Sequence, residues 1–308
     1  MVDELPWWGG LVLPLALGVL VAAAASWDSL LSARASGANA TSALTLPFRE
    51  AGGLLIQQRR RTLAADAMLW RGGALAFVVA GVLASLVTPF GQWAVADFSI
   101  GIVWFNAMEV VAWAAVWLVG WGANSAYGLI GAYRFIAQGL AYELPHMFAL
   151  ITAALGAGSL RVADVVAAQD TLWFVVWMPI AFVVYLLSVL AMSFWGPFDQ
   201  AVGADIAGGA MAELSGVDRL MFAAGRWLLL VSGAAFAVPL FLGGGAGPLL
   251  PSWLWTLLKT VAVLGLLVWV RRRVPTVRME RYEEVAWLVL IPLTLLQALV
   301  VAIVVIAR

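Results

Sequence analysis

NSAYGLIGAYRFIAQGLAYELPHMFALITAALGAGS, residues 124–159, is a polar turn followed by a long apolar segment with polar side chains at a regular spacing. At intervals of four residues the segment carries Arg134, Gln138, Tyr142 and His146. In a helix these side chains share one face, and Glu143 lies beside them. The stretch therefore predicts an apolar helix whose polar face needs partners inside the protein.

The composition of the whole chain indicates a membrane protein. Of its 308 residues 64% are hydrophobic and 11% are charged, and the mean hydropathy is +0.99, which is outside the range of soluble globular domains. The chain has no cysteine, so it can form neither a disulfide nor a cysteine-bound metal or iron–sulfur site. Any redox centre that works with it is expected in another subunit or in a diffusing cofactor.

Apolar runs of sufficient length to cross a bilayer occur about eight times. We predict an all-α, polytopic membrane protein that forms a single integral membrane domain over residues 1–308. The spans are predicted at residues 9–26, 67–86, 100–121, 135–155, 172–193, 220–242, 253–270 and 285–306. The first is interpreted as a retained helix, because the residues before it include Asp3 and Glu4 and no basic residue.

The basic residues predict the orientation of the chain. Of the 17 Lys and Arg residues, all but Arg161, Lys259 and Arg308 fall in or beside the connections after spans one, three, five and seven. The positive-inside rule makes these connections cytoplasmic and puts both termini on the outer face. They are also the long, polar connections, and residues 48–62, FREAGGLLIQQRRRT, predict an amphipathic helix along the membrane face.

Two carboxyls within predicted spans need an explanation. A carboxyl near the bilayer centre costs at least ~2.5 kcal/mol, so it usually faces the bundle interior and has a use. Glu143 lies ~13 Å past the predicted start of its helix at ~1.5 Å per residue, and Glu109 is near the middle of the third span. If these helices are antiparallel neighbours, the two carboxyls lie at similar depth and can share or relay a proton.

Pro145 strengthens the interpretation of Glu143 as functional. A proline in mid-helix removes a backbone hydrogen bond and leaves the carbonyl of Ala141 without its usual partner, which invites water or a side chain. The alternative is that these polar residues only hydrogen-bond to neighbouring helices and fix their packing. For the single histidine, His146, packing is the stronger of the two explanations.

Other classes of site are not indicated. One histidine and no cysteine do not make a zinc site or a haem-ligand pair, and GGGAG at residues 243–247 has the character of a turn. No arrangement of nucleophile, base and orienting group is recognisable, and nothing indicates nucleic-acid binding.

The segment NSAYGLIGAYRFIAQGLAYELP (124–145) resembles the signature of the H subunit of NADH-quinone oxidoreductase (complex I) and of its relatives in energy-converting hydrogenases. Further similar segments follow in the family's order. They are ADFSIG (96–101), AGSLRVADVVAAQ (157–169), GPFDQ (196–200), ELSG (213–216), WLWTLLKT (253–260) and WVRRRVPTVRMERYEE (269–284).

The resemblance implies a subunit of the inner (plasma) membrane without a redox centre of its own. It implies that the subunit anchors the peripheral electron-transfer arm, contributes to the quinone chamber and begins the path that couples quinone reduction to proton translocation. Quinone is then the substrate at the subunit interface, no cofactor is covalently bound, and iron–sulfur clusters belong to partner subunits. The implied partners are the iron–sulfur and quinone-module subunits of the peripheral arm, antiporter-like membrane subunits and the lipid bilayer.

Site residues follow from matching the family's motifs position by position, together with the carboxyl argument above. Glu143 matches the acid of a Tyr-Glu-x-Pro motif, Asp97 the acid before the third helix and Glu213 that of a Glu-Tyr-Ser-Gly motif. The predicted proton path comprises Glu143, Glu109, Asp97, Glu213, Asp205 and His146. The residues predicted for the quinone chamber or for subunit docking are Arg134, Asp199, Arg49, Arg278 and Arg281.

The chain also departs from the family's pattern. Before Pro197 the family has Glu-Thr-Asn-Arg, whereas this chain has MSFW, with Met192 and Trp195 at the charged positions. These changes favour an alternative function, a membrane anchor in a hydrogenase-like or other divergent redox complex with little or no pumping. A free-standing transporter is a further alternative, but no internal repeat supports it.

Overall fold

The computed structural model describes residues 3–307, and almost all of its regular structure is helical. Arg308, which contributed to the predicted orientation, lies outside the described residues. The longer helices are α1 (Gly9–Ser36), α2 (Ala40–Ile56), α3 (Ala67–Ala84), α4 (Gly101–Gly122), α5 (Ala126–Ala157), α8 (Pro179–Met192), α9 (Gly216–Phe241), α10 (Ser252–Arg273) and α12 (Ile291–Ile306). The short ones are α6 (Val162–Ala167), α7 (Phe174–Trp177) and α11 (Met279–Val285), which continues through the π turn Ala286–Leu290 into α12.

Within residues 3–307, seven helical segments are long and apolar enough to cross a membrane. They contain α1, α3, α4, α5, α9 and α10, and the seventh is the continuous segment Met279–Ile306. The predicted all-α, polytopic membrane protein is thus confirmed. One end of the bundle, which we call the basic end, carries four connections that contact one another: 37–66, which includes α2, 123–125, 193–215 and 274–278. We call the other end of the bundle the opposite end.

The fifth predicted span is not one continuous helix. The segment 172–193 breaks at Met178, where α7 ends and Pro179 starts the 14-residue helix α8. Proline is tolerated at the first position of a helix, since the N–H it lacks has no partner there. The Gln297 side chain of α12 bonds to backbone groups on both sides of the break. It accepts from the Ala181 N–H and donates to the Trp177 carbonyl, both at 3.0 Å.

The first connection contains a helix, but its bounds differ from the predicted 48–62. Helix α2 begins at Ala40, where the Asn39 side chain caps it by accepting from the Thr41 N–H at 2.9 Å, and it ends at Ile56. The basic run Arg59, Arg60 and Arg61 therefore lies beyond the helix. This run is held on the bundle, because the Ser215 hydroxyl accepts from the Arg60 N–H at 2.7 Å.

Small residues let the helices approach closely. A Cβ on Gly73 of α3 would lie 2.6 Å from the Ala115 carbonyl oxygen of α4, and a Cβ on Gly120 of α4 would lie 2.4 Å from the Ala132 Cβ of α5. Such contacts replace the hydrophobic driving force that is absent between helices in lipid. They bring α3, α4 and α5 side by side and fix the α4–α5 interface.

At the opposite end, two short strands tie the N-terminal segment to the loop before α4. Strand β1 (Asp3–Glu4) pairs in parallel with β2 (Trp93–Ala94). The Glu4 carboxylate also accepts from the Asp97 N–H at 2.9 Å. Strand β1 is therefore held against the loop before α4.

Candidate functional site

Helix α5 organises the candidate site. It runs without interruption from Ala126 to Ala157 and includes Pro145. It begins nine residues before the predicted span start at residue 135, so the helix extends further toward the basic end than predicted. At ~1.5 Å per residue Glu143 lies ~25 Å from the start of α5, near the middle of the 32-residue helix.

Four polar side chains meet halfway along the α4–α5 interface, and we call them the polar cluster: Asn106, Glu109, Glu143 and His146. Each helix contributes two residues that are three apart and therefore lie on one face. The Asn106 side-chain amide donates to Glu143 Oε1 at 2.8 Å. His146 Nε2 lies 3.2 Å from Glu109 Oε2. The cluster thus consists of two cross-helix pairs within one helical turn.

The polar cluster has fewer hydrogen bonds than its polar atoms could make. Although Glu109 and His146 are close, their orientation is not that of a hydrogen bond, and both oxygens of Glu109 and both nitrogens of His146 lack a partner among the described residues. Asn106 Oδ1 and Glu143 Oε2 are buried without a partner as well. An unsatisfied buried polar group destabilises the folded state by about 1–3 kcal/mol. Packing alone therefore does not explain why these polar groups are present.

Burial divides the cluster into an inner and an outer pair. Glu109 and His146 have no exposed surface. The His146 ring stacks on Tyr185 at 5.2 Å between centroids, and the centroid of Phe105 lies 6.4 Å away. The Tyr185 hydroxyl donates to the Gly233 carbonyl at 2.8 Å. Asn106 and Glu143, in contrast, are half-buried at the lateral surface of the chain.

The remaining members of the α5 stripe have structural partners. Gln138 donates to the carbonyls of Ala191 at 2.7 Å and Phe198 at 3.0 Å. The Tyr142 hydroxyl accepts from Trp113 Nε1 at 2.6 Å. For Gln138 and Tyr142, packing and hydrogen bonding to neighbouring elements account for the polar side chain. For the pair Glu109 and His146 they do not.

Several predicted residues surround a solvent-facing cleft of ≈ 680 Å³ at the basic end. Its lining includes Arg134, Asp205, Arg278 and Arg281. Arg134 pairs with Asp205 at 2.7 Å and also donates to the Gln200 carbonyl at 3.2 Å. Arg281 forms an ion pair with Glu284. The structure therefore brings together four side chains that the sequence places on three separate segments.

Other predicted residues lie apart from this cleft. Glu213 is near the start of α5, where it accepts from the Ser125 hydroxyl at 2.8 Å. Asp199 precedes the short turn Gln200–Val202 without lining the cleft. Arg49 is exposed on α2 and has no ion pair among the described residues.

Asp97 lies at the opposite end of the bundle from Glu213 and Asp205. It pairs with Arg161, whose Nη2 and Nε donate to Asp97 Oδ2 at 2.6 and 2.9 Å. These hydrogen bonds raise the pKa of the Arg161 guanidinium, so it remains charged. The carboxylates predicted for the proton path thus fall into three groups: one at each end and one in the middle.

Sequence reasoning missed Asn106, the partner of Glu143. Its signal was available, because an amide three residues before Glu109 in an apolar span lies on the same helix face. It also missed Asp28 on α1, which accepts from Arg271 Nη1 at 2.5 Å and from Arg272 Nε at 2.8 Å. That contact joins residues 243 positions apart and leaves no local pattern in the sequence.

The chain is thus an all-α, multi-pass membrane protein with titratable groups buried halfway across the bundle. A family model described as NADH dehydrogenase matches residues 14–302. The NADH-quinone oxidoreductase H subunit numbered 2 in Geobacter sulfurreducens is 34% identical over 269 residues, which cover 83% of this chain and 82% of the relative. The H subunit numbered 2 in Cereibacter sphaeroides is 37% identical over 217 residues, covering 70% and 68%.

A third relative, the NADH-quinone oxidoreductase H subunit of Carboxydothermus hydrogenoformans, is 34% identical over 220 residues, which cover 70% of this chain and 63% of the relative. The chain belongs to the NADH dehydrogenase family, that of the H subunit of complex I. The resemblance seen in the sequence is confirmed.

Proposed function

We propose that the chain is the membrane subunit of a complex I-like NADH-quinone oxidoreductase and couples quinone reduction to proton translocation through the polar cluster. The observation that carries the proposal is a set of buried titratable atoms without hydrogen-bond partners at the α4–α5 interface. Carboxyls are rare at this depth in a membrane bundle, and where they occur they commonly mark ion or proton pathways.

The inner pair, Glu109 and His146, is suited to hold one proton. The proton can reside on the carboxyl, with a neutral imidazole, or on the imidazole, with a carboxylate 3.2 Å away. Both arrangements have a net charge of zero, so a transfer between the two side chains does not leave an uncompensated charge in the apolar interior. The unpartnered nitrogen and oxygen atoms are the groups that such a transfer requires.

Glu143 is the proposed exchange group between this inner pair and the surroundings. It is the less buried of the two carboxyls, and Asn106 holds one of its oxygens while the other stays unpartnered. From Arg134 at the basic end to Glu143 the distance along α5 is ~13 Å, at ~1.5 Å per residue. Asp205 and Glu213 lie at that end and Asp97 at the other, so a path that uses all of them crosses the whole bundle.

The basic end is the proposed docking face for the peripheral arm. The ≈ 680 Å³ cleft carries three arginines, and Arg49 on α2 adds a further exposed charge. In this proposal Asp199 and the arginines contact the iron–sulfur and quinone-module subunits and border the quinone chamber, while antiporter-like subunits pack on the lateral faces. Iron–sulfur clusters would reside in those partners.

One observation favours the alternative of an anchor with little or no pumping. Trp195, which stands where the family has a charged residue, has two guanidinium groups near its ring, with Arg271 Cζ at 4.1 Å and Arg226 Cζ at 5.0 Å from the centroid. Met192, at the other changed position, is 1% exposed and packs in the core. Charged groups that could continue a relay toward the quinone chamber are absent from both positions.

Purification of the native complex tests the proposal directly. We expect mass spectrometry to find quinone-module and antiporter-like subunits beside this chain, and the complex to reduce a quinone at the expense of NADH. A nickel-hydrogenase large subunit in their place, without NADH-dependent quinone reduction, would establish the alternative.

A further inference from the structure

An apolar groove that faces the bilayer runs along the seam between α1 and α10. Its part nearer the basic end has a volume of ≈ 330 Å³ and is lined by Leu20, Ala24 and Trp27 of α1 and by Val261, Gly265 and Val268 of α10. Leu20 also lines a second apolar cavity of ≈ 170 Å³, which extends toward the opposite end between α1, the connection at residues 85–95 and α10, as far as Thr256. The groove is separate from the polar cluster and from the cleft at the basic end.

The length of this groove matches a lipid chain. From Thr256 to Val268 the helix rises ~18 Å, at ~1.5 Å per residue. One leaflet of the hydrocarbon core is roughly 15 Å thick, half of the ~30 Å bilayer interior. A single acyl chain that enters from one face of the membrane can therefore occupy the groove along its whole length.

The mouth of the groove at the basic end carries an excess of positive charge. Arg272 follows Val268 by one helical turn and Asp28 follows Ala24 by one turn, so the apolar stripes lead directly to these two residues. Asp28 pairs with both Arg271 and Arg272, and it is the only carboxylate within ion-pair distance of Arg271, Arg272 or Arg273 among the described residues. Asp199 also interacts with Arg271, so two negative charges face three positive charges, and Arg272 and Arg273 remain exposed.

We propose that this groove binds an anionic phospholipid, with an acyl chain between α1 and α10 and the phosphate on Arg272 and Arg273. A guanidinium matches a phosphate group in both charge and geometry. Trp27 and Trp269, which are 44% and 47% exposed, lie on the same two helices near this end, where tryptophan commonly marks the headgroup level. A neutral quinone ring would leave the excess charge at the mouth uncompensated.

The test uses the purified, delipidated native complex mixed with equal amounts of phosphatidylglycerol and phosphatidylcholine, followed by native mass spectrometry. A basic side chain at the surface favours anionic lipid about fivefold, so we expect about that preference for each exposed arginine. Replacement of Arg273, which leaves the Asp28 ion pairs intact, should reduce the preference about fivefold in the Arg273→Gln variant.

A matched pair of variants tests the groove itself. A Cβ on Gly265 meets nothing within 4 Å, so Gly265→Leu adds bulk to the groove without disturbing the protein. Gly18 on α1 is exposed, lies outside the groove and has equal space around it, so Gly18→Leu is the control. We expect Gly265→Leu to lose the bound phosphatidylglycerol and Gly18→Leu to retain it.

Three results would overturn the proposal: equal retention of phosphatidylglycerol in the two glycine variants, no preference over phosphatidylcholine in the unmodified complex, or a quinone as the molecule that Gly265→Leu displaces. If Gly265→Leu does not assemble, the headgroup preference of Arg273→Gln still decides between the outcomes. Electron transfer and partner composition are recorded in parallel, and they bear on the proposed function independently of lipid binding.

Discussion

At the scale of single residues, the partner of each buried polar side chain decides what it can do. The two carboxyls of the polar cluster each have a polar neighbour on the facing helix, His146 for Glu109 and Asn106 for Glu143. Their depth could be read from their position within apolar spans. Their partners could not, because these depend on how α4 and α5 are rotated against each other, and that rotation depends on close packing such as Gly120 against Ala132.

The shared proton of the inner pair gives a spectroscopic prediction. In His146→Leu the carboxyl of Glu109 loses its partner, and since an unpaired carboxylate is too costly in this apolar surrounding, Glu109 should stay protonated. We expect the infrared spectrum of the purified His146→Leu complex to contain the band of a protonated carboxyl, and the double variant His146→Leu with Glu109→Gln to lack it. The absence of that band from the single variant would contradict the one-proton pair.

At the scale of elements, most helices could be predicted from apolar runs, and the failures have local causes. Helix α5 starts nine residues early because one face of residues 126–134 packs on the loop at residues 200–211, where Arg134 pairs with Asp205, so this arginine does not mark the start of the helix. The fifth span breaks at Met178 because Gln297 of a distant helix replaces the lost backbone bonds. Neither contact leaves a trace in the hydropathy of the segment concerned.

The contact between α5 and the loop at residues 200–211 gives a prediction about assembly. A Cβ on Gly131 would lie 2.2 Å from the Ala210 amide nitrogen and 2.6 Å from the Ala201 carbonyl oxygen, so Gly131→Ala must displace the loop that carries Asp205. Such overpacking costs about 1–3 kcal/mol, and we expect a lower yield of assembled complex.

Gly128→Ala is the control for that experiment. The nearest atoms to a Cβ at this position, one helical turn earlier, are 3.4 and 3.5 Å away, which is close to ordinary contact. Its yield on native gels should match that of the unmodified chain. Equal yields for the two variants would show that the loop does not depend on its close approach to α5.

At the scale of the whole molecule, charge divides the bundle into two ends. The basic end carries the two longest connections, 37–66 and 193–215, with the cleft and the exposed arginines, whereas the opposite end carries the Asp97–Arg161 pair. This asymmetry was readable from the sequence because positive charge and loop length are recorded there directly. The grooves between helices were not, since they depend on packing.

The absence of cysteine allows a direct test of the predicted orientation. Asp170 and Ala35 are both exposed, the first at the opposite end and the second in the last turn of α1 at the basic end. We expect a membrane-impermeant maleimide to label Asp170→Cys in intact cells and Ala35→Cys only after the membrane is opened. The reverse labelling pattern would refute the cytoplasmic assignment of the basic end.

The central claim, that Glu143 exchanges protons with the inner pair, is tested most directly by proton translocation in the assembled complex that carries Glu143→Gln. Removal of a positioned proton-transfer group slows transfer by about a hundredfold or more, so we expect translocation to fall by at least that factor while the complex still assembles. Asp170→Asn, which changes an exposed carboxylate far from the polar cluster, should leave translocation unchanged. Normal electron transfer together with normal translocation in Glu143→Gln would contradict the account and leave the polar cluster with a role in packing alone.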